Sequence, residues 1–531
     1  MKIFNTTAVC VPSKHYMVDI SEKVREIKRL VDDGKYFVIN RARQYGKTTT
    51  IDALARFLTA TNYSVLSLDF QRISEASFKT EEAFVKAFAR SIFRKSKIID
   101  IPNNIVEKLS EFIERKEEKA VLDELFDTLS DWCDESNKPV VLLIDEVDSA
   151  TNNQVFLDFL GLLRDGYISR DTKGIQTFQS VILAGVTDIK HMRNKIRDEA
   201  EHRVNSPWNI AADFDIDMSL SEVGIKGMLD DYENDHHTGM DTAAMAKSIR
   251  EYTNGYPFLV SKICQTIDTK LVPEKLSDLN AAWTENGFTE AIKIILSENN
   301  NSLFNSLMGK LTNYPKLRNS LRAVLMKGET LTWLPYDEEQ QQLFMYGFIR
   351  NNNNSVAVSN RIFEMLLYAH FIGENNQNDD LRQIASEMKS AFVETDGSLN
   401  IPKIMEHFIK EHNRIHGDNT EKFLEAEGRE RFITYVSAII NGTGTYSIEE
   451  QTRDQRRMDL VIHYLGRRYI IELKIWRGER YNSEGEQQII DYLNYWGLNT
   501  GYMLSFSFNR NKQSGVKQVR IGEKILYEGI V

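Results

Sequence analysis

The sequence predicts a multidomain α/β protein with a parallel sheet near its N-terminus, a mainly helical middle and a second α/β region at the C-terminal end. Three observations carry this. The chain has 531 residues, more than one hydrophobic core organises, so two to four domains are expected. Up to about residue 220, short apolar runs alternate with segments of helical periodicity. Beyond about residue 440 the pattern returns to strands, among them two runs flanking a glycine turn.

In chain order, "KYFVI" reads as an apolar strand, followed by a loop and an amphipathic helix from about Thr48 to Leu58. "YSVLSLDF" is a second strand, with helices expected over Glu81–Lys95 and Ile105–Cys133. "PVVLLIDEV" and "SVILAGVTD" complete the set. Strands this apolar, separated by helices, predict a parallel sheet covered on both faces. Residues 1–220 are expected to form this core and residues 221–375 a helical region. The latter ends in "LFMYGFIRNNNNSVAVSNRIFEMLLYAHF": a helix end, two strands around an Asn-rich turn, and a helix. That order resembles a winged helix. The breaker-rich "GENNQNDD" marks the boundary to residues 376–531, read as helices followed by strand, hairpin, helix and strand.

Composition is that of a globular protein, 42% hydrophobic and 27% charged. No apolar run approaches the roughly 18 residues of a membrane span, and the N-terminus lacks a signal-like apolar core, so a cytoplasmic protein is expected. Cys10, Cys133 and Cys264 are far apart, against a disulfide framework or zinc cluster. The net charge is −11, unevenly spread: from Glu421 to Val531 there are 16 Lys+Arg against 15 Asp+Glu, leaving 50 against 62 elsewhere. The last fifth is nearly neutral and the body acidic.

"RARQYGKTTT" lies between the first strand and its helix. Backbone N–H groups at such a helix start surround phosphates while a lysine adds positive charge, which assigns Lys47 to the β/γ-phosphates and Thr48 to Mg²⁺. Arg41 stands where the full G-x-x-x-x-G-K-[ST] loop has its first glycine. About 100 residues on, "VVLLIDEVD" places Asp145 and Glu146 at the C-terminal end of a buried strand, where open α/β sheets bind ligands. Asp145 is read as holding Mg²⁺ and Glu146 as polarising the attacking water. A helix with an acidic first turn explains the two acids alone, but not their pairing with the loop.

These residues, with the opening "HYMVDISEKVREIKRLVDDGKYFVINRARQYGKTTT", resemble the AAA-like P-loop ATPases, in particular a prokaryotic family fused to a nuclease-like domain. The resemblance implies ATP as cofactor and accounts for Arg41: the family's loops commonly read R-x-R-x-x-G-K-[ST]. Arg41 or Arg43 would add phosphate contacts, with Gly46 and Thr49 completing the loop. It also implies a phosphate-sensing residue in "LAGVTD" (Thr187 or Asp188) and a lid motif in "NGYPFLVSKIC" with Gly255 and Pro257 near the nucleotide. Arg164 and Arg170 are both open as an arginine finger.

"RRMDLVIHYLGRRYIIELKIW" carries the second chemistry. A type II′ turn at Gly466-Arg467 would pair Leu465 with Arg468, Val461 with Glu472 and Asp459 with Lys474. Asp459, Glu472 and Lys474 then share one face, while Leu460, Ile462, Tyr464, Tyr469, Ile471 and Leu473 form the apolar other. Two carboxylates and a lysine at a core sheet resemble the PD-(D/E)XK nucleases of the restriction-endonuclease-like fold. In that reading Asp459 and Glu472 hold Mg²⁺, whose preferred ligands are oxygens, and Lys474 positions water or the anion. "EGRERFITYVSAI" resembles the first helix of that fold, whose glutamate completes the metal site; of Glu427 and Glu430, Glu430 is favoured. "GEQQIIDYLNYW" resembles the Q-x-x-x-Y helix of one branch, with Gln488 and Tyr492 facing the site. His412 and His416 have metal-ligand spacing, but without a third ligand nearby they are read as surface histidines.

Together these readings imply an ATP-binding, ATP-hydrolysing protein coupled to a Mg²⁺-dependent nuclease-like domain acting on nucleic acid, DNA ahead of RNA, with no membrane association and a homo-oligomer as an option. The alternative is a nucleotide-driven switch that binds nucleic acid or a protein without cleaving it.

Overall fold

The structure, a computed structural model, describes residues 2–115, 119–151, 153–186, 208–271, 278–327, 331–375, 380–416, 425–451, 457–475, 479–507 and 513–531. Two compact units result: Met1–Arg250 with Asn254–Trp283 and Gln341–Gly347, and Glu251–Thr253 with Thr284–Gln340 and Phe348–Val531.

In the first unit, strands β1 (Phe37–Asn40), β2 (Ser64–Asp69), β3 (Val140–Asp145) and β4 (Ser180–Gly185) form a parallel sheet in the order β1-β4-β3-β2. Alternate residues enter separate cores. Val38, Leu66, Leu142, Ile144 and Leu183 face a phenylalanine-rich layer that includes Phe70, Phe84, Phe88 and Phe159. Phe37, Ile39, Val141, Leu143 and Ile182 face Ile51, Leu54 and Leu58 of the Lys47–Ala60 helix. Burial on both faces is why these strands read as unbroken apolar runs; each fully buried Val, Leu or Ile contributes roughly 1.5–3 kcal/mol. The helix expected over 105–133 is two helices, Asn103–Glu114 and Leu122–Glu135, because the apolar stripe lapses across the charged "RKEEK". Helices Glu222–His236 and Pro257–Thr266 follow the sheet.

In the second unit, β5 (Ile349–Asn352) and β6 (Ser355–Val358) pair around Asn353 and Asn354, both at positive φ (49° and 66°), as a primed turn requires. Thr332 bridges to Ser355, and the Arg361–Asn375 helix follows. The large sheet has six strands: β7 (Gly444–Gln451), β8 (Arg457–Tyr464), β9 (Arg467–Ile475), β10 (Thr500–Phe506), β11 (Gly515–Ile521) and β12 (Lys524–Ile530), ordered β11-β12-β10-β9-β8-β7. The central pairs β9–β10 and β10–β12 are parallel and the outer pairs antiparallel.

The β8–β9 hairpin departs from the expected register. Its turn is Leu465-Gly466, with φ of 46° and 76°, a type I′ geometry in place of II′ at Gly466-Arg467. Val461 therefore lies opposite Ile470 and Leu460 opposite Ile471. The expected register would have set apolar Val461 against the buried carboxylate Glu472; the observed one matches apolar with apolar on both faces. The second face is also more apolar than expected. Val461, Ile470 and Met503 are buried under Ile489, Tyr492 and Leu493 of the Glu479–Trp496 helix. The Leu473 face is covered by the Ile401–His416 and Glu425–Ile440 helices, through ring contacts of Phe408 with Phe432, Tyr435 and Phe506.

Candidate functional site

The first site lies at the C-terminal ends of β1 and β3. Gly46, at φ +82°, turns the chain into the Lys47–Ala60 helix. The first bond of that helix runs from Thr50 N to Gly46 O, 2.9 Å. The amides of residues 47–49 thus precede the helical ladder and are the donors a phosphate would meet. Lys47 is 7% exposed, and its ammonium donates to Arg41 O (2.9 Å) and Ala42 O (3.1 Å). Burial lowers its pKa, opposed by Asp148, Glu146 and Asp145.

Asp145 is held at the end of β3 by hydrogen bonds from the Thr48 hydroxyl and from Glu146 N, the latter 2.9 Å. Burial pushes its carboxyl above the ordinary range, with these bonds and Lys47 acting against the shift. Glu146, at φ +55°, is raised by burial first and by the Asp145 charge second. A hydroxyl and a carboxylate are hard oxygen donors, and a carboxyl raised by burial gains from a cation, so Thr48 and Asp145 suit Mg²⁺. Such an ion takes only one or two protein ligands beside phosphate and water.

The remaining expected nucleotide residues divide. Arg43 is exposed and adds positive charge near Lys47. Pro257 packs on the loop: a Cβ at Gly46 would lie 3.7 Å from its Cγ. Tyr256 donates its hydroxyl to Arg43 O and meets the Tyr45 ring edge-on at 4.7 Å. Gly255, at φ +70°, accepts from Leu220 N at 2.8 Å. Thr49 instead accepts from Cys10 N at 3.2 Å, anchoring the N-terminal segment. Arg41 turns its guanidinium to main-chain carbonyls. Arg170 bonds the carbonyls of Gly34, Phe178 and Gln179, which lie at the opposite ends of β1 and β4 from the loop. Arg164 is half-buried on the Gln154–Lys173 helix. Thr187 and Asp188 lie outside the described residues.

Asp148 is a site residue the sequence reading passed over. Its carboxylate accepts from Val186 N at 2.7 Å and tethers the turn after β3 to the end of β4. The signal was present as the third acid of "DEVD". Tyr256 was quoted in the lid motif without a role; its hydroxyl contact depends on a fold that brings distant segments together.

The second site is on the helix-479–496 face of the large sheet. Glu472 is almost fully buried, and Lys474 Nζ lies 3.4 Å from its Oε1. Lys474 also donates to Gln488 Oε1 (3.2 Å), and Gln488 Nε2 donates to the Tyr492 hydroxyl (2.7 Å). The Q-x-x-x-Y pair thus orients the lysine. The register, continued one pair beyond Leu460 and Ile471, sets Asp459 opposite Glu472, not opposite Lys474; the Asp459 side chain lies outside the described residues. Like-charged residues at directly opposed positions destabilise a sheet unless a cation stands between them, and two carboxylate positions fit Mg²⁺ by their chemistry. Glu430 is not brought to them. It pairs with Arg322 at 2.9 Å, on a helix covering the other face. The Glu427 side chain and His416 side chain lie outside the described residues. His412 is not a surface residue: it is buried against Phe408 and Phe506, with Nε2 3.1 Å from Arg431.

Residues 4–369 match the model of a family described as an AAA-like domain. Among curated protein sequences none matches significantly. A Walker-type ATPase of Pyrococcus abyssi overlaps at 15% identity and a TM-score of 0.47, covering 68% of this chain and 99% of that one. Cdc6p of Pyrobaculum aerophilum overlaps at 14% and 0.34, covering 70% and 97%. The ORC1 protein of Aeropyrum pernix, solved in complex with DNA, overlaps at 9% and 0.30, covering 68% and 94%. Among the described residues no helix is long and apolar enough to cross a membrane.

Proposed function

The chain belongs to the AAA-like domain family, and from that premise we propose that it binds and hydrolyses ATP and that nucleotide state governs a phosphodiester-cleaving C-terminal domain acting on DNA. The observation that carries the ATP reading is the buried Lys47 beside the Thr48–Asp145 hydrogen bond, at the C-terminal edge of a parallel sheet. Lys47 and the amides of residues 47–49 bind the phosphates, and Arg43 adds charge at the mouth. Thr48 and Asp145 hold Mg²⁺, which neutralises charge building on the phosphate oxygens. Glu146, its carboxyl raised above the ordinary range by burial, orients water and accepts its proton. Pro257 and Tyr256 close over the loop, and Thr187 or Asp188 senses the terminal phosphate.

The cleavage reading rests on Glu472, Lys474 and Gln488 in one hydrogen-bonded set, with Asp459 at the opposed register position. Asp459 and Glu472 would hold a divalent ion, which when bound would supply an activated water; Lys474, fixed by Gln488, positions the scissile phosphate or the attacking water. Glu430 joins only by leaving Arg322. We assign residues 1–220 to the ATPase core, 221–375 to the lid and winged-helix-like region, and 376–531 to the nuclease-like domain. The rival, a switch that binds nucleic acid or a protein without cutting, is favoured by the near-neutral charge of the last fifth. Incubating the protein with DNA and Mg²⁺, with and without ATP, beside Lys474→Ala separates them. Cleavage by wild type alone supports the nuclease; equal background from both leaves the switch.

A further inference from the structure

We propose that Arg41 is the positioning residue of the nucleotide loop, holding by its guanidinium and its main chain the geometry that a glycine is usually needed to form. This inference rests on the nucleotide reading of the loop and assigns Arg41 a role other than phosphate contact. The left-handed turns that demand conformational freedom fall at Gln44 (φ 59°) and Gly46 (φ 82°). Arg41 is not among the positive-φ positions, so nothing in its backbone asks for glycine.

The side chain does something glycine could not. Its guanidinium donates to Asn40 O (2.9 Å), Phe214 O (3.3 Å) and Ile216 O (2.9 Å), and lies 5.1 Å from the Phe214 ring centroid. Phe214 stacks on Phe37 of β1 at 5.8 Å, and Ala212 donates to Tyr36 O at 2.8 Å, so residues 212–216 run beside the strand that feeds the loop. At the same residue the main-chain N–H donates to Gly185 O at 3.2 Å, and the carbonyl accepts from Lys47 Nζ at 2.9 Å. One residue therefore joins β1, the end of β4, the 214–216 segment and the phosphate-binding lysine. That segment continues to Leu220, which bonds Gly255, two residues before the Pro257 that covers Gly46. The loop is held in a closed circuit, and Arg41 is where the circuit returns to Lys47. Planar, multidentate bonding to several carbonyls at once is a property of arginine that lysine does not share.

The test is to restore the glycine. Arg41→Gly completes the G-x-x-x-x-G-K-T loop, and affinities for fluorescent ADP and ATP analogues are compared across wild type, Arg41→Gly, Arg41→Lys and Arg43→Ala. The expected result is a loss of about tenfold or more in Arg41→Gly, the scale of one charge-assisted hydrogen bond. The loss should be equal for ADP and ATP, intermediate in Arg41→Lys, and partly reversed by sub-denaturing guanidinium chloride. Amide exchange at residues 214–218 should quicken in nucleotide-free Arg41→Gly and not in Arg43→Ala. Binding by Arg41→Gly as tight as wild type overturns the proposal. So does a loss confined to ATP, which would make Arg41 a γ-phosphate ligand. Guanidinium rescue and the Arg41→Lys variant distinguish lost positioning from misfolding, and misfolding of Arg41→Gly without rescue also counts against it. Wild type failing to bind either nucleotide removes the underlying reading itself, a result distinct from these.

Discussion

Replacing Gly255 with alanine tests how the lid is joined to the nucleotide loop. Gly255 sits at φ +70°, and a Cβ there would overlap the Leu220 carbonyl oxygen and stand 2.8 Å from the Leu220 nitrogen. The left-handed conformation costs a non-glycine residue roughly 1–2 kcal/mol. The overlap is with main chain, so no rotamer change relieves it. The Leu220–Gly255 hydrogen bond must lengthen or break, for about 1 kcal/mol more. A total of about 2–3 kcal/mol corresponds to a melting temperature about 4–12 °C lower for a unit of this size. Gly174 is the control: it has φ +69° and nothing within 4 Å of an added Cβ, so Gly174→Ala carries the conformational part alone. The assay is scanning calorimetry of both variants, with titration of a fluorescent ATP analogue. Gly255→Ala should melt below Gly174→Ala and bind nucleotide more weakly, because Pro257 follows Gly255 away from Gly46. Equal melting temperatures and unchanged affinity would refute the joint.

Lys47→Ala is expected to lose at least about 100-fold in ATP affinity, the scale of two charge-assisted phosphate contacts, measured by the same titration. Burial raises the folded-state pKa of Asp145 and Glu146. The folded chain therefore holds these protons more tightly than the unfolded one, and the stabilisation they give at low pH is lost as pH rises through the raised values. Without nucleotide, the melting temperature should fall as pH rises above the ordinary carboxylate range, and less steeply in the Asp145→Asn, Glu146→Gln double variant. Gln488→Leu removes the acceptor that orients Lys474; under the cleavage reading the turnover rate on DNA should drop about tenfold or more with DNA affinity little changed, measured by single-turnover assay.

The parallel sheet was legible because its strands are buried on both faces, which leaves an unbroken apolar signature in "VVLLID". The positions of Lys47, Thr48 and Asp145 in the fold were legible because strand–loop–helix placement ties each side chain to a local backbone position. The loop's missing glycine was a less reliable signal than it looked: the positive φ falls at Gln44 and Gly46, and two of the guanidinium's partners, Phe214 O and Ile216 O, lie more than 170 residues away along the chain. The hairpin misled by one residue for a similar reason. The turn rule saw Gly466 as the first central residue, while tertiary burial of Val461 and Ile470 set the register and made Gly466 the second. Side-chain parity is unaffected by a shift of this kind, since the pairing moves by two, so Asp459, Glu472 and Lys474 kept a common face. The two-helix split over 105–133 was marked by the charged "RKEEK", whereas the burial of His412 depends on packing that no local pattern reports.

Whether nucleotide state governs cleavage is most directly read from one time course of a labelled DNA duplex with Mg²⁺. It compares wild type, Lys47→Ala and Lys474→Ala, each with and without ATP. The account predicts that wild-type cleavage changes on adding ATP, that Lys47→Ala cleaves at one rate in both conditions, and that Lys474→Ala cleaves in neither. Cleavage by Lys474→Ala at the wild-type rate, or an ATP response surviving in Lys47→Ala, would contradict it.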